Sequence, residues 1–311
     1  MFYWTISSLK LKAKMWDPFF IQYKLLPLLK PKKNENYLDC GCGFSPLGNA
    51  LINFILPNGT IFGIDNNIEY INEAKKDVKE KKMSERLLFK FGEATNLEFE
   101  DQSFDASFCQ QLLVNTNHPE KILKEMIRVT KKDNGRIMAV ENSNLGAFIH
   151  HPKFNVIENQ KLTNIYQKII LLGKSAYDSG DTSLGSKLSI LFQNLGLYDV
   201  YSEYIFPHVP EQNYHLLNSS DINFKNEYIN QQFHLQKIFE LWANKIIPDY
   251  LSEEDWKFFL EKVFLEKYNE KALNDKREMI QFVHPLTLSI GWLKKQFHEE
   301  FISFKSKRKM K

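Results

Sequence analysis

The sequence predicts a doubly wound α/β fold, in which helices cover both faces of a mostly parallel sheet. Two observations support this prediction. Short apolar segments alternate with amphipathic helices through the first half of the 311-residue chain, a pattern typical of parallel sheets. Five such strand–helix steps follow one another between residues 36 and 141, and a doubly wound core accommodates them most simply.

The predicted strands of the first half are short and rich in β-branched and aromatic residues. They are 36–40, 60–65, 87–91, 104–109 and 135–141. Between them, apolar residues recur every three or four positions, as in helices that pack one face against a sheet. The helix that contains Leu123 and Met126 is the clearest example.

The second half predicts two more strands of the same sheet, making seven. A helix that ends at Gly196 leads into a sixth strand over 199–206, because glycine is the usual residue just past a helix C-terminus. Residues 286–295 are predicted to be the last strand. A helix that begins after Ser252 lies between them, so residues 207–280 are predicted to be a helical insertion within the final hairpin.

Composition excludes several classes of protein. The hydrophobic content of 43% and the charged content of 25% are those of an ordinary globular protein. The sequence contains no apolar run of about 18 residues and no secretory cleavage site, so we expect a cytoplasmic protein without a membrane span. A net charge of +3 argues against a nucleic-acid partner, and three cysteines without metal-ligand spacing predict no metal site.

The segment LDCGCGFSPLG, residues 38–48, follows the first strand and bears on the choice of cofactor. Gly41 and Gly43 let the backbone approach a ligand closely, because glycine tolerates positive φ. Asp39 stands at the end of the strand, where a carboxylate would hold a cationic group and repel a pyrophosphate. Ser45 is predicted to be a helix N-cap whose hydroxyl accepts a helix N–H, and Pro46 the first helical residue, which leaves fewer donors for a phosphate.

Asp65 ends the second strand, 24 residues after Gly41, where an acidic side chain can bind both hydroxyls of an adenosine ribose. Together with the loop, it predicts an adenosine cofactor that has a cationic amino-acid arm and no phosphate. S-adenosylmethionine has these properties.

Four segments in order make the sequence resemble the class I S-adenosylmethionine-dependent methyltransferases, of the type found in ubiquinone and menaquinone biosynthesis. The segments are YLDCGCG, IFGIDNN, FKFGEATNLEFEDQSFDASFCQQLLVN and HPEKILKEMIRVTKKDNGRIMAVE. The resemblance runs from Tyr37 to Asn142. It implies a Rossmann-like, seven-stranded, mostly parallel sheet and methyl transfer from S-adenosyl-L-methionine to an acceptor.

The resemblance implies that four residues bind the methionine arm of the cofactor. Gly41 and Gly43 would meet the arm through their backbone, Asp39 would lie near the ammonium group, and Gln110 would offer its carbonyl to the same group.

Four further residues are implied to bind the adenosine part. Asp65 would bind the ribose hydroxyls, Asn66 would lie beside the adenine, and Glu93 and Ala94 would meet the edge of the adenine.

Glu141, on the fifth strand, is the predicted catalytic residue. A general base is needed only if the acceptor arrives protonated, so a structural role for Glu141 stays open at this point. The acceptor is expected to be a small molecule. The sequence does not decide between oxygen, nitrogen, carbon and sulfur as the acceptor atom, nor between monomer and oligomer.

The resulting domain prediction has four parts. Residues 1–35 form an N-terminal helical cover, 36–206 a Rossmann-like methyltransferase core, 207–280 a helical insertion or lid, and 281–311 the last strand with a basic tail. The cover, with its aromatic residues Phe2, Tyr3, Trp4 and Trp16, and the lid are expected to enclose the acceptor.

Two other functions stay open at this point. One is a non-catalytic cofactor-binding or scaffold protein of methyltransferase fold. The other is an NAD-dependent oxidoreductase, which Asp39 and Pro46 disfavour. Titration with S-adenosylmethionine and NADH would separate them.

Overall fold

The computed structural model describes residues 20–55, 57–178, 180–205, 236–265, 281–283 and 286–294. Nine strands are formed in this part of the chain. They are β1 (Asn36–Cys40), β2 (Thr60–Asp65), β3 (Leu87–Phe91), β4 (Ala106–Gln110), β5 (Arg136–Asn142), β6 (Phe148–His150), β7 (Tyr198–Ile205), β8 (Gln281–Val283) and β9 (Leu286–Trp292).

Seven of these strands form one sheet in the order β3-β2-β1-β4-β5-β9-β7, and β6 pairs with β8 in a separate two-stranded ribbon. Strands β1 to β5 are parallel to one another. Strand β9 lies antiparallel between β5 and β7. The predicted doubly wound, mostly parallel sheet is therefore confirmed, including the pairing of its last two strands.

The bounds of the helices agree with the predicted alternation. They are α1 (Leu26–Leu29, preceded by a π-helical turn at Ile21–Leu25), α2 (Pro46–Leu51), α3 (Ile68–Glu80), α4 (Pro119–Val129), α5 (Val156–Lys168), α6 (Lys174–Asp178), α7 (Leu188–Asn194), α8 (236–243) and α9 (Glu253–Leu260). The side chain of Ser252 accepts the N–H of Asp255, so the predicted cap of α9 is confirmed. Gly196 has a φ of 79° just beyond α7, as expected of a helix stop.

Helices cover both faces of the sheet. On one face, α1, α2 and α3 pack around Phe108 and Met138. On the other, α4 and α7 pack around Leu38 and Cys109. A third apolar cluster joins β6, α5, α8 and α9 and includes Phe259.

Several predicted features lie outside the described residues. They are the aromatic residues Phe2, Tyr3, Trp4 and Trp16, the ends of the insertion at 207–235 and 266–280, and the basic tail. The four predicted domain boundaries therefore stay predictions. Among the described helices, none is long and apolar enough to cross a bilayer.

Candidate cofactor-binding site

The loop after β1 has the backbone that its two glycines predicted. Gly41 has a φ of 67° and Gly43 a φ of 52°, in the left-handed region that favours glycine. Space is also limited at Gly41, where an added Cβ would lie 2.6 Å from Leu112 Cδ1. The conformation favours glycine at position 41, and a larger residue would also have to displace the end of the Leu112 side chain.

Ser45 corrects one prediction for this loop. It does precede α2, and Pro46 is the first helical residue, but the side chain of Ser45 makes no capping hydrogen bond. Its backbone is left-handed, with a φ of 49°, whereas a capping residue is usually extended. The hydroxyl instead donates to Asp39 Oδ2 at 2.6 Å, because a buried carboxylate needs a donor.

Asp39 is almost completely buried, with 3% of its surface exposed. Burial and, to a smaller extent, the nearby charge of Asp65 raise the pKa of this carboxyl to about 7, although the hydrogen bond from Ser45 lowers it. Among the described residues, no Lys, Arg or His side chain forms an ion pair with Asp39. The site thus holds a buried carboxylate that a cationic ligand would stabilise.

Asp65 joins the β1 loop to β2. Its Oδ2 accepts the N–H of Gly43 at 2.8 Å, and its Oδ1 accepts the N–H of Asn67 at 2.9 Å. Burial raises the pKa of Asp65, although both backbone N–H groups lower it. A carboxylate offers about four lone pairs, so the two oxygens keep the capacity to accept hydroxyl groups.

The residues predicted to meet the adenine come together beyond Asp65. Asn66 Nδ2 donates to Glu93 Oε1 at 3.4 Å, and both side chains are exposed. Ala94 is partly buried beside the same cluster that contains Ile64. On the other side of β1, Gln110 ends β4 and pairs with Val140, so it lies at the same edge of the sheet.

Glu141 occupies a different setting from the one expected of a general base. Its side chain is fully buried, and its carboxylate accepts the N–H groups of Leu112, Leu113 and Val114 at 3.0, 2.9 and 3.3 Å. Burial raises the pKa of Glu141 to about 7, although these three hydrogen bonds lower it. This geometry favours a structural role, and the catalytic role stays a prediction.

The contact between Gly41 and the segment after β4 was not predicted. Leu112 supplies this contact, and the preceding residue, Gln111, has a φ of 51°. No pattern in the sequence signals a left-handed glutamine, because non-glycine residues rarely adopt that conformation. In the described part of the chain, no group of His, Cys, Asp and Glu side chains has the arrangement of a metal site.

Comparison with known proteins identifies the domain. Residues 31–177 match the family model described as a methyltransferase domain, and this range contains all five parallel strands and every predicted site residue. Over this range the chain is similar to the class I S-adenosylmethionine-dependent methyltransferases. S-adenosylmethionine is the cofactor of this class.

Two curated relatives resemble the methyltransferase domain. The chain is 32% identical over 120 residues to a demethylmenaquinone methyltransferase of Lactobacillus johnsonii, covering 39% of this chain and 49% of that protein. It is 31% identical over 160 residues to a ubiquinone/menaquinone biosynthesis C-methyltransferase of Bdellovibrio bacteriovorus, covering 50% of this chain and 64% of that protein. The chain thus spans about half to two thirds of the length of these relatives.

A solved structure of a S-adenosylmethionine-dependent methyltransferase from Aquifex aeolicus also resembles this chain. It is 17% identical, covers 65% of this chain and 93% of its own, and superposes with a TM-score of 0.43.

Proposed function

We propose that the protein is an enzyme that transfers a methyl group from S-adenosylmethionine to a small-molecule acceptor. The observation that carries this proposal is the pair of carboxylates at the carboxyl edge of the sheet, the buried Asp39 and the partly buried Asp65. Burial raises the pKa of both groups, so a positive charge beside them would stabilise their ionised forms. S-adenosylmethionine brings a positive ammonium group and two ribose hydroxyls, which match a buried anion and a carboxylate with remaining acceptor capacity.

Different residues are proposed to bind different parts of the cofactor. Asp39 is proposed to hold the ammonium group, with the carbonyl of Gln110 as a second acceptor. Gly41 and Gly43 leave room for the methionine arm along the backbone. Asp65 is proposed to bind the ribose hydroxyls.

On the far side of Asp65, the adenine is proposed to lie against Asn66, Glu93 and Ala94. The hydrogen bond between Asn66 and Glu93 supports this assignment, since it places two polar side chains beside the proposed ribose site.

Methyl transfer requires the protein mainly to align the two reactants. A lone pair of the acceptor forms a bond to the methyl carbon, and the electron pair of the breaking carbon–sulfur bond goes to sulfur, which becomes neutral. Correct alignment of such reactants is worth about 7–11 kcal/mol in favourable intramolecular cases. A base is required only when the acceptor nucleophile arrives protonated.

Two further proposals concern where the acceptor binds and in which compartment the protein acts. The cover at 1–35 and the insertion at 207–280 are proposed to enclose the acceptor, since additions to such sheets often lie over the carboxyl ends of the strands. The three cysteines are all buried and unpaired, which suits a reducing compartment and supports the proposed cytoplasmic location.

Isothermal titration of the full chain with S-adenosylmethionine and with NADH tests the proposal. We expect binding of S-adenosylmethionine alone. Binding of NADH alone would support an oxidoreductase, and binding of neither would contradict the proposal. Incubation of the protein with labelled S-adenosylmethionine and a metabolite extract then separates an enzyme from a non-catalytic binder, because only the enzyme releases S-adenosylhomocysteine.

A further inference from the structure

The carboxylate of Glu141 is directed at the main chain of the segment after β4. Its Oε1 accepts the N–H groups of Leu112 and Leu113, and its Oε2 accepts the N–H of Val114. The thiol of Cys109 lies 3.9 Å from Oε1. With these donors around it, the carboxylate is occupied by the protein and has little capacity left to remove a proton from an acceptor.

The segment that Glu141 holds has a backbone that needs support. Gln111 has a φ of 51°, and a left-handed conformation is unfavourable for a residue with a Cβ atom. Two other contacts help: the N–H of Gln111 donates to the carbonyl of Val140 at 2.8 Å, and its Nε2 donates to Asn142 Oδ1 at 2.9 Å. All three anchors lie on β5, so this strand determines the path of the segment.

The same segment reaches the cofactor loop. The side chain of Leu112 lies directly over Gly41, so closely that an added Cβ would be 2.6 Å from Cδ1. Gln110, which is proposed to meet the ammonium group, comes immediately before the segment. A shift of the segment would therefore move both a proposed ligand of the cofactor and the side chain that packs against the glycine loop.

We propose that Glu141 is a positioning residue that holds residues 110–114 against the cofactor loop and thereby supports S-adenosylmethionine binding. The inference rests on the proposed function, because it assumes that this loop binds the cofactor. It assigns Glu141 an indirect role through the backbone in place of proton transfer. On the outer side of the segment, Lys174 Nζ donates to Asn115 Oδ1 at 2.8 Å.

Glu141→Gln tests the inference, with Glu35→Gln as the matched control. Glutamine keeps one acceptor oxygen but turns an NH2 group towards backbone donors. Glu35 is also a buried carboxylate, but its partners are Tyr37, Arg136 and the N–H of Lys32. We would measure the Kd for S-adenosylmethionine by calorimetry, the Tm, and the exchange of the amide hydrogens of residues 112–114.

We expect Glu141→Gln to raise the Kd about tenfold, as for the loss of a hydrogen bond to a buried charge, and to speed exchange at residues 112–114. Glu35→Gln should lower the Tm and leave the Kd and these amides unchanged. A Glu141→Gln protein whose Kd and amide exchange match the wild type would overturn the inference. Loss of methyl transfer at an unchanged Kd would favour a general base instead.

If Glu141→Gln does not fold, Leu112→Ala removes the contact with Gly41 while the backbone donors stay in place. A Kd within about twofold of the wild type in that variant would overturn the inference. If the wild type does not bind S-adenosylmethionine, the proposed function fails and the positioning role fails with it, whereas an unaffected variant of a binding wild type overturns the positioning role alone.

Discussion

The two edges of the sheet differ in how they neutralise buried carboxylates. At the amino edge, Glu35 accepts a hydrogen bond from Arg136 at 2.7 Å and another from Tyr37 at 2.8 Å. At the carboxyl edge, Asp39 and Glu141 are also buried, yet their donors are a hydroxyl, a thiol and backbone N–H groups. No ion pair is formed with either of them in the part of the chain that the structure describes.

Residues with positive φ occur at both edges, since Asn34 and Asn134, which precede β1 and β5, also have it. Gly41, Gly43, Ser45 and Gln111 all have positive φ, and all lie at the carboxyl edge. The edges differ in their electrostatics: Glu35 pairs with Arg136 at the amino edge, whereas the carboxyl edge combines a left-handed glycine loop with a buried carboxylate, Asp39, that has no ion-pair partner among the described residues. Such a combination is expected where a ligand supplies the missing partner.

The largest effect is expected at the amino edge. Glu35→Gln leaves the guanidinium of Arg136 buried without its anionic partner, which should reduce the free energy of unfolding by about 3 kcal/mol. Cofactor affinity should stay the same, because Glu35 lies at the opposite end of β1. Chemical denaturation and calorimetry measure the two quantities, and a weakened cofactor affinity would remove the contrast between the edges.

Asp39→Asn should have the opposite pattern. Without the charge that faces the ammonium group, the Kd for S-adenosylmethionine should rise roughly 100-fold, as for a broken buried ion pair. The unliganded protein should be no less stable, because an isolated buried charge is removed. The same two measurements apply, and an unchanged Kd would count against the assignment of Asp39.

Gly41→Ala probes the unusual backbone. The added methyl group would contact Leu112, and the alanine would have to adopt a φ of 67°. We therefore expect a loss of about 2 kcal/mol in stability and weaker cofactor binding. Gly196→Ala is the matched control, because its φ is also positive but its Cβ would meet nothing within 4 Å. Equal effects of the two changes on the Kd would show that the contact with Leu112 is unimportant for the site.

The pH dependence of binding is the smallest expected effect. A carboxyl whose pKa is raised by folding stabilises the folded state at low pH, and this contribution is lost as the pH rises through about 7 for Asp39. Ionised Asp39 is the form that binds a cation, so binding should strengthen over the same range. We expect the Kd to be roughly eightfold higher at pH 6.0 than at pH 7.5, and Asp39→Asn should abolish this difference.

The sheet could be predicted from the sequence because strands buried on both faces are apolar runs that helices separate. The loop of Gly41 could be predicted because only glycine adopts its backbone easily. The hydrogen bond from Ser45 to Asp39 could not, since a serine before proline also fits an ordinary cap. The partners of Glu141 could not be predicted either, because backbone N–H groups leave no trace in the side-chain pattern.

The pKa of Asp39 with and without S-adenosylmethionine tests the central claim most directly. Carbon-13 NMR of the labelled carboxyl measures it in both states. We predict a pKa of about 7 in the unliganded protein that falls by about two pH units when the cationic cofactor binds, as a 100-fold preference for the ionised form requires. A pKa that does not change on saturation with the cofactor would contradict the claim that Asp39, at the carboxyl edge of the sheet, binds the cationic group of the cofactor.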